Sequence, residues 1–130
     1  MNPRDEKRKF ARVEVGKKFR LDAIVIDPEK HESLFKLDPV WTRDIGGNGL
    51  GLRTHAHCMV GAEVDLHFQL PGQDEPIAAK GRVVWGKLED NSNHEYRVGI
   101  AFKEIEEKDR QAIMKYVEME ARKQLKSQRT

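Results

Sequence analysis

The chain is short of several things, and each shortage removes a class of protein. It has a single cysteine, Cys58, so no internal disulfide can form and a reducing compartment is expected. No apolar run approaches the roughly 20 residues of a membrane-spanning helix, so no membrane insertion is expected. The opening stretch MNPRDEKRKFARVEV lacks the apolar centre of a secretory leader, which leaves the cytoplasm as the expected location. No serine or cysteine nucleophile stands in a pattern with histidine and the carboxylates are scattered, so the chain does not read as an enzyme. His55, His57, Cys58 and His67 lie near one another but without the paired spacing of zinc ligands; surface histidines and a core-facing cysteine are expected, and no metal. Net charge is only +2 and no exposed aromatic run accompanies it, so neither DNA nor RNA is an expected partner.

What the chain does have is an uneven distribution of charge. The first twenty residues carry eight bases (Arg4, Lys7, Arg8, Lys9, Arg12, Lys17, Lys18 and Arg20) against three acids (Asp5, Glu6 and Glu14). The rest is therefore net acidic, and the leading segment is suited to an anionic partner. A length of 130 residues fits one domain with one core.

Strand periodicity fills the middle. Phe19, Leu21, Ala23 and Val25 alternate with Arg20, Asp22 and Ile24, giving one strongly apolar face, and Asp27-Pro28 stops the run. Residues 35–42 read as the return strand, with Pro39 arguing for an edge position or a bulge. Val64, Leu66, Phe68 and Leu70 alternate again up to a Pro71-Gly72 turn. Residues 77–88 and 96–103 form a last pair, with Tyr96, Val98, Ile100 and Phe102 on its inner face. Short strands at this spacing predict a barrel or sandwich. From Glu107 the period changes: Ile113, Tyr116, Val117, Ala121 and Leu125 recur at three- and four-residue steps, predicting a helix over about 107–126. Its apolar surplus at Met114, Met119 and Leu125 leaves both a monomer and a helix-mediated homodimer open.

The segment Arg43-Asp44-Ile45-Gly46-Gly47-Asn48-Gly49-Leu50-Gly51-Leu52 is the densest in signal. Its glycine spacing does not fit the dinucleotide fingerprint, and no GK[ST] follows, so it is not a P-loop. Turn chemistry by itself reads it as a tight β-turn with a bulge.

Two segments taken together resemble a known family. Arg8-Lys9-Phe10-Ala11-Arg12 is similar to the RxxxR motif of PilZ domains, bacterial receptors for cyclic di-GMP, and Asp44-Ile45-Gly46-Gly47-Asn48-Gly49 to their [DN]xSxxG motif. Leu70-Pro71-Gly72, Gly81-Arg82-Val83-Val84-Trp85, Val98-Gly99-Ile100-Ala101-Phe102 and Asp109-Arg110 extend the resemblance over roughly residues 4–120. It implies a six-stranded antiparallel β-barrel of split, Greek-key type with a C-terminal helix: a flexible basic arm over 1–12, the barrel over 13–104, and helix and tail over 105–130. It implies a cyclic di-GMP receptor that signals to a downstream protein, with Arg8 and Arg12 gripping the ligand from different sides. Asp44 would orient an arginine or accept a guanine N–H, Gly46 and Gly49 would line the bend, and Lys9 would add attraction. Arg53 and Trp85 are further candidates, the indole as a plate for a base. The motif serine is Gly46 here, so one hydroxyl of the pattern is missing. A PilZ-like domain that has lost the nucleotide and acts through protein contacts is the alternative.

Overall fold

The computed structural model describes residues 12–15, 19–90 and 94–128. In chain order the elements are β1 (Arg12–Glu14), β2 (Leu21–Ile26), β3 (Ser33–Lys36), β4 (Val40–Gly46), β5 (Gly49–Thr54), β6 (Glu63–Phe68), β7 (Ile77–Asp90), β8 (Glu95–Ile105) and the helix α1 (Glu107–Gln128). All pairings are antiparallel, in the order β1-β4-β5-β8-β7-β6-β2-β3. The expected class holds, a mostly-β antiparallel architecture closed by one helix. The strands described number eight rather than six, and no ladder among the described residues joins β1 to β3.

Laid flat, eight strands at a spacing of about 4.8 Å would span about 34 Å. Yet Val13 on β1 and Ala23 and Val25 on β2, near opposite ends of the order, share one buried cluster. The sheet therefore rolls around its inner face. Alternation supplies that face: Leu21, Ala23 and Val25 on β2, Leu50 and Leu52 on β5, Val64, Leu66 and Phe68 on β6, and Val98 and Ile100 on β8 are all buried. At about 25 cal/mol per Å² of apolar surface, each of these valine, leucine, isoleucine and phenylalanine side chains contributes roughly 1.5–3 kcal/mol.

The return strand expected over 35–42 is two strands. β3 pairs with β2, and Leu37 still donates to Ala23, whereas β4 pairs with β1 and β5. Pro39 has no N–H to give a ladder, and the chain changes partners at that point.

On α1, Ile113, Tyr116 and Val117 are buried at helical spacing, and the helix packs on β1 and β4. Glu107 and Asp109 favour its N-terminus, and the Glu106 carbonyl accepts from Asp109 and Arg110. The apolar face was expected to continue through Ala121 and Leu125. Both are exposed, and these last turns meet β1 through a polar contact instead, Gln124 Nε2 donating to the Glu14 carbonyl at 3.2 Å. No described helix is long and apolar enough to cross a membrane.

Candidate functional site

The register of five strands sets two parallel rows of residues on the outer face of the sheet. One row runs Glu14–Asp44–Gly51–Gly99–Trp85 across β1, β4, β5, β8 and β7. The next runs Arg12–Gly46–Gly49–Ala101–Arg82 across the same strands. Strand parity explains this placement on β1, β4, β5 and β8, and on β7 a bulge between Val83 and Trp85 brings Arg82 and Trp85, three residues apart, to the same face; Val13, Ile45, Leu50, Ile100 and Val83 lie in the core.

Within the rows, Arg12 Nη1 lies 3.5 Å from Asp44 Oδ1, both side chains being about three-quarters covered. Asp44 is pushed outward by a bulge between Thr42 and Asp44, and its carboxylate lies across Gly51, where an added Cβ would stand 2.8 Å from Oδ1. At the far end the Trp85 indole lies over Gly99, so closely that a Cβ there would overlap its five-membered ring. Gly49 leaves no room either: its Cβ would meet the Ile100 carbonyl on β8. These glycines serve close approach, the usual reason for glycine inside a strand. Asp44 and Trp85 thus stand three strand spacings apart on one face, roughly 14 Å between their backbones, and each lays its side chain over the glycine of the adjoining strand.

Two more cations border this row. Arg53 and Arg97 are directly opposite on β5 and β8, an arrangement that repels unless compensated. Glu89 and Glu95 on the β7–β8 hairpin compensate it, at 3.8 and 3.5 Å from Arg53 Nε and, for Glu89, 3.7 Å from Arg97 Nη1. The Arg97 guanidinium also sits 5.9 Å from the Trp85 ring centre. Its Nε is buried with no hydrogen-bond partner among the described residues. On the other side Arg110 of α1 donates through Nε to the Gly47 carbonyl at 3.1 Å and ties the helix to the glycine turn.

Of the residues expected from sequence, Arg12, Asp44, Gly46, Gly49 and Trp85 come together on this face, and Arg53 borders it. Arg8 and Lys9 lie outside the described residues. Arg97, Gly51 and Gly99 belong to the constellation and were not singled out. A glycine interrupting an apolar strand at 51 and 99 was the available signal. The histidines disperse: His55 packs on Trp41 and His57 on Tyr96, while burial pushes the Cys58 thiol up from its ordinary pKa.

The model of the PilZ domain family matches residues 6–119. The chain belongs to the PilZ domain family. PilZ domains are non-enzymatic receptor and effector modules, in keeping with the absence of any nucleophile pattern in the sequence. Two solved structures are similar in fold. One is the Bacillus subtilis inhibitor of motility (MotI/DgrA), 18% identical, with a TM-score of 0.65 over 92% of this chain and 52% of that one. The other is the PilZ domain of YcgR from Escherichia coli, solved with c-di-GMP, 12% identical, with a TM-score of 0.59 over 92% and 98% of the two chains. This chain thus spans about half the length of the Bacillus protein. No curated protein matches at a significant level.

Proposed function

We propose that this PilZ domain is a cytoplasmic cyclic di-GMP receptor whose ligand lies on the outer face of the sheet between Asp44 and Trp85. The observation that carries this reading is the pairing of Arg12 with Asp44 beside strand glycines, in a row that ends in an exposed indole. Each part suits one part of the ligand. Arginine presents a planar fork to phosphate oxygens or to guanine O6 and N7, a carboxylate accepts guanine N–H, and an indole stacks on a purine. Arg97, with an unused donor next to that indole, is a second cation for the same ligand. The YcgR domain, solved with c-di-GMP, supports the choice of ligand. Arg8 and Lys9 complete the basic arm of the RxxxR motif, which is expected to close over the ligand from the Arg12 side. A downstream protein then reads the closed state.

Calorimetric titration of the full chain with cyclic di-GMP tests the reading. Binding at micromolar or lower concentration is expected in the wild type, weakened at least tenfold by Arg12→Ala with little change in melting temperature. No heat at high ligand concentration, in a folded sample, sinks it. Gly46 favours a second reading in that event, a PilZ domain that works through protein contacts alone, since the motif hydroxyl is missing.

A further inference from the structure

We propose that Arg53 and Arg97 form a phosphate subsite that the Glu89 carboxylate occupies in the empty protein and gives up to the ligand. The identity of that phosphate rests on the cyclic di-GMP reading above; the exchange itself does not.

Strand register places the two arginines. Arg53 comes two residues after Gly51 and Arg97 two before Gly99, so both stand on the outer face one row along from those glycines. Lys87 continues the row on β7, opposite Arg97. Cations opposed on neighbouring strands destabilise a sheet, and they make this row attractive to an anion.

Glu89 and Glu95 offset that charge without saturating the donors. Glu89 divides its carboxylate, with Oε2 3.8 Å from Arg53 Nε and Oε1 3.7 Å from Arg97 Nη1. Glu95 Oε1 lies 3.5 Å from Arg53 Nε. A charge-assisted N–H···O bond is about 2.7–2.9 Å long, so these are ion pairs held at long range. A guanidinium is rich in N–H donors, and Arg97 Nε is buried with no partner among the described residues. Hydrogen-bonding capacity is therefore left over after the charges are compensated.

A phosphodiester carries one negative charge over two free oxygens, as a carboxylate does. The Glu89 carboxylate thus stands where such a phosphate would bridge the two arginines. Its position also lets it leave. Glu89 sits at a shift of register between Leu88 and Asp90, where the β7–β8 ladder is interrupted, whereas Glu95 is paired across it with Asp90. Arg97 connects the exchange to the rest of the site, because its guanidinium is 5.9 Å from the Trp85 ring centre. A phosphate held by Arg97 would lie next to the indole on which a base stacks.

Calorimetric titration of wild type, Glu89→Gln and Glu89→Asp with cyclic di-GMP tests the exchange. Glu89→Gln removes the competing carboxylate at nearly constant shape. Binding should tighten about three- to tenfold, since two part-exposed ion pairs no longer have to break. Glu89→Asp keeps the charge but draws the carboxylate back by one methylene, and a smaller gain is expected that a general change of charge would not produce. In an Arg97→Met background the gain from Glu89→Gln should shrink to about twofold or less. Inorganic pyrophosphate, which has no bases for Asp44 or Trp85, separates the subsite from the identity of the ligand. Glu89→Gln should bind it more tightly than wild type whether or not cyclic di-GMP binds. If cyclic di-GMP binds neither protein while the pyrophosphate gain holds, the subsite stands and the ligand reading falls. Equal affinity of wild type and Glu89→Gln for pyrophosphate, and for cyclic di-GMP where it binds, overturns the exchange and leaves the ligand reading to its own titration. A gain that survives in full beside Arg97→Met overturns the exchange as well.

Discussion

Replacing Gly51 by alanine separates the ligand site from the stability of the fold more cleanly than any change to a charged residue. The new methyl would stand 2.8 Å from Asp44 Oδ1 and 3.1 Å from its Cγ, closer than such atoms rest, so the carboxylate must swing away. Movement is cheap because the obstacle is the end of a side chain that is a quarter exposed. Leaving Arg12 forfeits a part-exposed ion pair of about 0.2–1 kcal/mol. The strand recovers roughly 0.5–1 kcal/mol as glycine gives way to alanine. The two offset, and the melting temperature should move little. Ligand binding has no such offset. Losing one charge-assisted contact costs about 1.5–3 kcal/mol, roughly a tenfold to hundredfold drop in affinity. Calorimetry with cyclic di-GMP beside a thermal melt gives both numbers from one preparation. An unchanged affinity, or a loss of stability as large as the loss of binding, would show that Asp44 is not held over Gly51 for the ligand.

Gly46→Ser restores the motif hydroxyl and should tighten cyclic di-GMP binding by up to about tenfold, the worth of one neutral hydrogen bond, in the same titration. Gly49→Ala is the structural counterpart: its methyl meets the Ile100 backbone, which cannot rotate away, so chemical denaturation should reveal a loss of about 1–3 kcal/mol. The Lys36 ammonium, 3.0 Å from Asp22, holds that carboxyl below its ordinary pKa of 3.8, chiefly through the hydrogen bond it donates. A depressed carboxyl stabilises the fold above its unfolded pKa and loses that contribution as pH falls through the folded one. Lys36→Met should thus be less stable than wild type by no more than about 1 kcal/mol near neutrality, the pair being exposed, and the gap should close in acid; urea melts at pH 7 and pH 2 measure it.

Much of the architecture was legible in the sequence because burial on one face writes an alternating pattern into each strand. Leu21, Ala23 and Val25, or Val64, Leu66 and Phe68, point inward whichever strand lies beside them, and the change of period at Glu107 marks the helix just as locally. The motif residues Arg12, Asp44 and Gly49 could be named for the same reason, since residue type and spacing carried the resemblance. Alternation says which face a side chain takes but nothing about its neighbour across the ladder. That is set by pairings between residues far apart in the chain, such as Glu14 with Asp44 or Gly99 with Trp85. Only the folded sheet could therefore break the expected strand at Pro39 and lay the Trp85 ring on Gly99. Only it could oppose Arg53 to Arg97 and bring Glu89 to both. Composition and period fixed inside and outside; register, a long-range property, decided what stands beside what.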